Sequence, residues 1–234
     1  MEGVPEASAA GARLGVRVVP GVELSVRVPH GSLHLLGYFA AAAPEPLVSR
    51  LRELRERRVA RAREMVARLA ALGAPVAWED VVRRARGTVG RPHLAEALVA
   101  AGHVADRAEA FERFLADDGP AYLPSSSLEP PEAVALVTES GGAAVLAHPL
   151  SLQLETARLR VAVRELQELG LRGIEVDRPE HDAATRAVLG ALADELGLVA
   201  TGGSDFHRPD GPAALGDTGP ERVDASVVTR LLGG

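Results

Sequence analysis

Apolar and polar residues alternate along residues 17–28, and valines fill most of the apolar positions. This period-two pattern predicts a β-strand, with Pro20 and Gly21 interrupting it. Residues 30–39 show a similar pattern after a glycine at the turn, so we expect this segment to be the hairpin partner of the first strand. The chain therefore opens with a predicted β-hairpin.

A helical periodicity replaces the alternation over residues 44–73, where leucines and Met65 recur three or four positions apart. Gly73 and Pro75 are typical signals for the end of a helix. Shorter helices are predicted at 78–86, 91–101 and 105–116. Residues 44–128 are therefore interpreted as an all-helical subdomain inserted into the rest of the chain.

Helices and short apolar strands alternate from residue 129 onward, which predicts a parallel α/β sheet or barrel. We assign residues 1–43 and 129–234 to this α/β domain. The predicted helices span 130–142, 152–170, 180–196 and 222–232, and the predicted strands span 143–147, 173–176 and 198–203.

The composition, 47% hydrophobic and 25% charged residues, is that of a globular protein. The chain has no cysteine, which excludes disulfides and thiol catalysis. It also lacks a long uncharged apolar run and an N-terminal apolar leader segment, so we predict a cytoplasmic protein without a membrane partner. A net charge of −6 and 3% aromatic residues make a dedicated nucleic-acid-binding module a poor fit.

Polar side chains follow the predicted strands, at the ends where functional groups converge in parallel α/β folds. This coincidence predicts a site for metal binding or acid–base chemistry. A buried carboxylate must be paired or metal-bound, which favours a ligand role for Glu23. The residues in question are Glu23, His148, Glu175 with Asp177, and Asp205 with His207; we assign no role to Glu175 and Asp177.

Each of these side chains also has a plainer interpretation. His148 follows an apolar run and could be a buried histidine that only satisfies hydrogen bonds. His34, which could neighbour Glu23 across the hairpin, could be a half-exposed strand residue. Asp205 and His207 are spaced to face one site, but the Asp-Phe-His segment could be an exposed turn.

Arg91 and His93 lie at the predicted start of a helix, in the sequence Gly-Arg-Pro-His. A helix N-terminus with a guanidinium and an imidazole is suited to binding an anion. The alternative is an ordinary surface helix whose first turn contains Pro92.

The chain contains, in this order, the stretches RVVPGVELS, HLLGYF, VGRPHLAEALVAAGHV, GPAYLP, AVLAHP, GIEV and TGGSDFH. Together they resemble the polymerase-and-histidinol-phosphatase (PHP) family. The resemblance is greatest to its small bacterial branch, which acts on nucleoside 3′,5′-bisphosphates and on short oligonucleotides from the 5′ end. The resemblance implies a distorted seven-stranded β/α barrel with up to three metals.

Site roles are carried over from that resemblance. It implies that Glu23 bridges two metals, that His34 and His148 ligate one of them, and that Asp205 ligates the other. It assigns His207 to a third metal, and it makes Glu23, His148, Asp205 and His207 the catalytic set. Arg91 and His93 are implied to contact the substrate phosphate. The implied cofactors are divalent ions, Mn²⁺ first, with Zn²⁺ or Fe²⁺ as alternatives.

Two departures from the family accompany the resemblance. Its opening His-x-His motif and its Thr-Asp-His-Asp motif are not found, so we expect an incomplete barrel lacking about two N-terminal βα units. The exposed barrel edges could then support a homodimer, and we predict no other stable protein partner. In addition, YLPSSSLEP has no basic residue after its proline, where the family would have one.

The predicted function is hydrolysis of phosphate monoesters of nucleotides or short oligonucleotides by a metal-dependent phosphoesterase. Two alternatives stay open at this point. One is a truncated, catalytically impaired relative that retains partial metal or nucleotide binding. The other is a different barrel hydrolase, such as an amidohydrolase-like enzyme.

Overall fold

The structure, a computed structural model, describes residues 1–29, 31–42, 44–85, 88–124, 127–207, 214–220 and 223–233. The chain forms two compact units. The first, Met1–Val48 with Ser127–Gly234, is called the sheet unit, and the second, Ser49–Ser126, is called the helical unit. In chain order the elements are α1 (Val4–Leu14), β1 (Gly21–Val26), β2 (Leu33–Tyr38), α2 (Glu45–Ala71), α3 (Trp78–Ala85), α4 (Arg91–Ala100), α5 (Arg107–Ala110), α6 (Pro130–Glu139), β3 (Ala143–Leu146), α7 (Thr156–Glu168), β4 (Leu171–Asp177), α8 (Ala183–Leu196), β5 (Val199–Gly202) and α9 (Ser226–Leu232).

The sheet unit contains a mixed sheet whose strands follow the chain order, β1-β2-β3-β4-β5, over the residues described. The pairs β1–β2 and β2–β3 are antiparallel, whereas β3–β4 and β4–β5 are parallel. All four residues of β3 are buried, as expected for a strand covered on both faces. Burial alternates along β2, so one of its faces packs into the core and the other is more open.

Helices α6 to α9 cover this sheet. Helix α6 packs on β1, β2 and β3, helices α7 and α8 pack on β4, and α9 packs on β5. Ala143, Val145, Val227 and Leu231 form a buried cluster, against which Leu36, Tyr38 and Val199 pack. Residues 34, 36 and 38 alternate along β2, so His34 lies on the strand face that bears this cluster.

The helical unit has its own apolar core, built from α2 to α5. Helix α2 ends where Gly73 adopts a positive φ of 80°, a conformation that glycine adopts without strain. The buried residues of this core are Ala62, Met65, Leu69, Ala74, Val81, Val89, Leu94, Ala95, Ala97, Leu98, Val104, Ala110, Phe114, Leu115 and Ala121. No helix among the described residues is both long and apolar enough to cross a membrane.

The predicted hairpin and alternating elements are present, but several bounds were wrong. The strand predicted over 17–28 is only β1, which begins directly after Pro20, a residue with no N–H to donate to a ladder. The helix predicted over 105–116 breaks into α5 and a π-helical turn, Phe111–Leu115. The helix predicted over 152–170 is only α7, because a 3₁₀ turn, Pro149–Leu152, precedes it.

The sheet is mixed rather than parallel throughout, since the hairpin adds two antiparallel pairings to the parallel strands. Helix α1 precedes the hairpin. Parts of three predicted elements, at residues 30, 86 and 222, lie outside the described residues, as do Ser125 and Ser126 of the YLPSSSLEP stretch.

Candidate metal centre

Glu23 and His34 meet across the hairpin. Glu23 lies opposite Leu36, and His34 lies opposite Ser25, so the two side chains are diagonal neighbours on one face. His34 Nδ1 lies 2.6 Å from Glu23 Oε1. The sequence placed Glu23 at the end of its strand in buried surroundings; it is instead the third residue of β1, and 35% of its side chain is exposed. The strand continues past Glu23 because Leu24 and Val26 still alternate into the core.

His148 joins this pair from the segment after β3. Its Nε2 lies 3.0 Å from His34 Nδ1 and 3.4 Å from Glu23 Oε1. The two imidazole rings meet edge to face, with centroids 4.8 Å apart. One ligand atom from each of the three residues lies within 4.8 Å of the other two, and no other group of three such residues occurs in the described part of the chain.

Ser151 determines which ring nitrogen of His148 is free. The Ser151 hydroxyl donates its proton to the Ser32 carbonyl over 2.8 Å, so its oxygen must accept the hydrogen bond from His148 Nδ1, 2.9 Å away. His148 therefore carries a proton on Nδ1. In the neutral ring the lone pair lies on Nε2, which faces Glu23 and His34 and can ligate a metal.

The ionisation of the cluster follows from these contacts. Hydrogen bonds from His148 and then His34 lower the pKa of Glu23 far below its usual range, against the effect of burial. The hydrogen bond to Glu23 raises the pKa of His148, again against burial. The cluster thus keeps Glu23 anionic and stabilises the protonated form of His148, so a metal ion that binds there must displace the proton from Nε2.

Two imidazole nitrogens and one carboxylate oxygen form a donor set that suits Zn²⁺, Mn²⁺ or Fe²⁺. Three protein ligands also leave coordination positions for water or substrate, as in catalytic sites. The residues present therefore fit the divalent metal that the sequence analysis predicted.

Asp205 and His207 lie apart from this group of three. Asp205 has a positive φ of 53°, and its carboxylate Oδ2 lies 3.6 Å from Nη2 of Arg178. His207 Nδ1 lies 2.7 Å from the main-chain oxygen of Asp205, and 72% of its side chain is exposed. The structure thus brings these two residues together, as their spacing predicts, but it does not bring them into the cluster of Glu23, His34 and His148.

Arg91 and His93 begin α4 in the helical unit. His93 Nδ1 accepts a hydrogen bond from the Gly90 N–H over 3.0 Å, so a neutral His93 carries its proton on Nε2, a donor suited to an anion. Arg91 is paired with Asp117 at 2.5 Å and donates to the Leu115 carbonyl. An anion that binds Arg91 must therefore compete with the Asp117 carboxylate.

Comparison with known proteins finds relatives among characterised hydrolases. No model of a known protein family matches the chain. It is 33% identical over 219 residues to a 3′,5′-nucleoside bisphosphate phosphatase of Chromobacterium violaceum, covering 92% of this chain and 77% of the relative. It is 34% identical over 197 residues to the 5′-3′ exoribonuclease Rnm of Salmonella typhimurium, covering 84% of this chain and 67% of the relative.

The chain belongs to the PHP phosphoesterase family. Two solved structures agree with this assignment at the level of fold. One, described as a metal-dependent phosphoesterase of Bifidobacterium adolescentis, is 30% identical with a TM-score of 0.75, over 97% of this chain and 80% of that one. The other, described as an amidohydrolase of Chromobacterium violaceum with bound sulfate and no metal, is 31% identical with a TM-score of 0.76, over 98% and 82%.

The predicted PHP family, the predicted hydrolase class and the predicted metal-dependent phosphoesterase function are thereby confirmed. Dependence on a divalent metal agrees with the cluster of three ligands and with the name of the phosphoesterase structure. The identity of the metal and the role of each site residue stay predictions.

Sequence reasoning missed three residues that shape this PHP site. Ser151 carried no signal, because a serine three residues after a histidine is common. Glu175 was noticed but left without a role, and Arg178 was not singled out. Both are only 5% exposed, and their carboxylate and guanidinium lie 2.9 Å apart. A glutamate inside the apolar run Gly-Ile-Glu-Val was the available signal, since a buried charge needs a partner.

Proposed function

We propose that this chain is a divalent-metal-dependent phosphoesterase that removes phosphate from nucleoside 3′,5′-bisphosphates, or nucleotides from the 5′ end of short oligonucleotides. The observation that carries the proposal is the convergence of Glu23, His34 and His148 on one point. It occurs in a chain that is 33% identical to a nucleoside bisphosphate phosphatase and 34% identical to an exoribonuclease.

A divalent ion bound there would polarise the phosphoryl oxygen and lower the pKa of a bound water. We propose Mn²⁺ as this ion, with Zn²⁺ or Fe²⁺ as alternatives. Glu23 Oε1, His34 Nδ1 and His148 Nε2 would hold it, and Ser151 keeps the Nδ1 proton of His148 away from the metal side. We further propose that Asp205 and His207 complete the metal sites and that His207 assists proton transfer.

We propose that Arg91 and the Nε2–H of His93, in the helical unit, contact a substrate phosphate with charge-assisted hydrogen bonds. Arg91 would leave Asp117 for this purpose; that carboxylate is 79% exposed and therefore readily solvated once released. We expect a preference for substrates with two phosphates over nucleoside monophosphates, as the name of the nucleoside bisphosphate phosphatase relative indicates.

The experiment is a phosphate-release assay on a nucleoside 3′,5′-bisphosphate and on the matching 5′-monophosphate, with Mn²⁺ and with a chelator. We expect Mn²⁺-dependent release, faster on the bisphosphate, and loss of at least about 10²-fold in kcat for His148→Ala because one of three metal ligands is removed. Arg91→Ala should mainly raise KM for the bisphosphate. No release from any phosphate ester by the metal-loaded chain would overturn the proposal.

Two alternative functions remain as outcomes of the same assay. Metal and nucleotide binding without turnover would favour a catalytically impaired PHP relative, which is consistent with the pairing of Asp205 with Arg178. The neighbour described as an amidohydrolase gives a reason to include amide substrates as a comparison. Amide hydrolysis without phosphate release would favour that chemistry.

The remaining predictions concern the architecture. We propose that residues 1–43 and 129–234 form a distorted PHP barrel of the seven-stranded type, with 44–128 inserted into it. A homodimer through sheet edges, the absence of other stable protein partners and a cytoplasmic location stay predictions from the sequence. Light scattering on the purified chain tests the first of these, because a monomer would contradict it.

A further inference from the structure

The two segments that carry His148 and Asp205 have unusual backbone conformations. Among the described residues, only three other than glycine have a positive φ: His148 at 27°, Gln153 at 53° and Asp205 at 53°. Such conformations cost free energy and persist only where the surroundings hold them. Two of the three belong to predicted metal ligands, so the contacts that hold these two residues also position the site.

Glu175 holds the His148 segment. Its Oε2 accepts a hydrogen bond from the main-chain N–H of His148 over 2.7 Å. Its Oε1 faces the other segment, where a Cβ built on Gly203, two residues before Asp205, would lie 2.9 Å away. A single carboxylate in β4 therefore accepts a hydrogen bond from the backbone of one ligand-bearing segment and lies close to the other.

Arg178 completes the arrangement. Its Nη1 donates to Glu175 Oε2 over 2.9 Å, and its Nη2 lies 3.6 Å from Asp205 Oδ2. Its Nε lies 3.3 Å from the carboxylate of Glu180 at the protein surface. Glu175 and Arg178 are each only 5% exposed. Removal of Arg178 would leave the buried Glu175 carboxylate without this cationic partner, whereas removal of Glu175 would leave Arg178 with only Asp205 and the exposed Glu180.

We propose that Glu175 and Arg178 form a buried ion pair that positions His148 and Asp205 for metal binding, and that this pair determines the metal affinity of the site. The inference rests on the proposed function, since it takes His148 as a metal ligand. Neither residue need touch the metal or the substrate. Both are positioning residues, which act by fixing where His148 Nε2 and the Asp205 carboxylate can lie.

The test compares Mn²⁺ and Co²⁺ binding by the full chain and by four variants. Glu175→Gln keeps an oxygen that can accept from His148 but removes the charge that pairs with Arg178. Arg178→Gln removes the guanidinium, and Arg178→Lys keeps its charge. Glu195→Gln is the matched control, because Glu195 lies in the same unit and is paired with Arg160 and Arg164 at the surface.

We expect Glu175→Gln and Arg178→Gln to raise the Kd for Mn²⁺ by about 10–100-fold, as loss of outer partners of metal ligands does. They should also change the visible absorption spectrum of bound Co²⁺, which reports ligand geometry. Arg178→Lys should restore part of the affinity, and Glu195→Gln should match the unaltered chain. The melting temperature, measured without metal, shows that the titrated protein is folded.

Two results would overturn the inference. One is a lower melting temperature in Glu175→Gln with an unchanged Kd and an unchanged Co²⁺ spectrum, which indicates a purely structural role. The second result applies if Glu175→Gln does not fold. It is the same Kd for Mn²⁺ in the unaltered chain, in Arg178→Gln and in Arg178→Lys. Failure of the unaltered chain to bind either metal would instead overturn the proposed function, so the two failures are distinguishable.

Discussion

Replacing Glu23 with glutamine tests the metal centre with the smallest change of shape. Glu23 is the only anionic member of the cluster of three, and its Oε1 contacts both His34 and His148. Loss of an outer partner of a metal ligand already costs about 10–100-fold in affinity, and Glu23 is itself a ligand, so we take about 100-fold as the minimum loss.

The expected thermal shift follows from this loss. At a free Mn²⁺ concentration of 100 times Kd, binding to the native state adds about 2.7 kcal/mol of stability. In a chain of 234 residues, each kcal/mol raises the melting temperature by about 2–4 °C, which gives a shift of about 5–11 °C. At the same Mn²⁺ concentration, a 100-fold weaker variant gains only about 0.4 kcal/mol, or about 1–2 °C.

The assay is differential scanning fluorimetry or calorimetry over a Mn²⁺ titration of the unaltered chain, Glu23→Gln and Glu195→Gln. Glu195 is a matched control, because its side chain is also 35% exposed and also has two positively ionisable partners. We expect Glu195→Gln to retain the full shift. A Glu23→Gln variant that also retains the full shift would show that the metal binds without this carboxylate and that Glu23 is not a ligand.

Further predictions concern the neighbours of the cluster. Ser151→Ala should weaken Mn²⁺ binding by about 10–100-fold with little change in melting temperature, because His148 loses the acceptor for its Nδ1 proton; titration calorimetry measures this, and an unchanged Kd would contradict it. Gly31→Ala should destabilise the protein by about 1–3 kcal/mol in urea unfolding, because Gly31 has a φ of 68° and a Cβ would lie 2.5 Å from the Ser151 carbonyl; equal stability would contradict this. Without metal, the ion pair of His148 with Glu23 should stabilise the fold most between about pH 4.5 and 6.5. Because folding raises the pKa of His148, the stability that His148 contributes is complete below the pKa of the unfolded state and is lost as the pH rises through the raised pKa. Because folding lowers the pKa of Glu23, the stability that Glu23 contributes is complete above the pKa of the unfolded state and is lost as the pH falls toward the lowered pKa. The difference in melting temperature between the unaltered chain and His148→Gln, measured over pH 4 to 9, should follow this course, and a difference that grows above pH 7 would contradict it.

The contact between Glu23 and His34 could be predicted from the sequence because the two residues lie close together along the chain. Glu23 and His34 lie in two segments with strand periodicity and a glycine between them, which is the pattern of a hairpin. Their register could not be read from the pattern, since it depends on which residues pack into the core. The prediction that Glu23 ends its strand was wrong because Leu24 and Val26 continue β1 into the core.

The long-range contacts could be predicted only in outline. His148 follows an apolar strand, so its place at the carboxyl end of that strand was expected. Its positive φ and its contact with Ser151 depend on the turn that follows. The pairing of Arg178 with Asp205 depends on side-chain directions that no sequence period records. Asp205 therefore lies beside an arginine rather than in the cluster of three, although the polar residues that follow the strands were expected to converge on one site.

The most direct test of the metal centre is a crystal structure of the Mn²⁺-loaded chain with anomalous diffraction data collected above the manganese edge. We predict an anomalous peak within coordination distance of Glu23 Oε1, His34 Nδ1 and His148 Nε2. A peak that these three side chains do not contact, or no peak in a protein that hydrolyses phosphate esters, would show that these residues do not form the metal site.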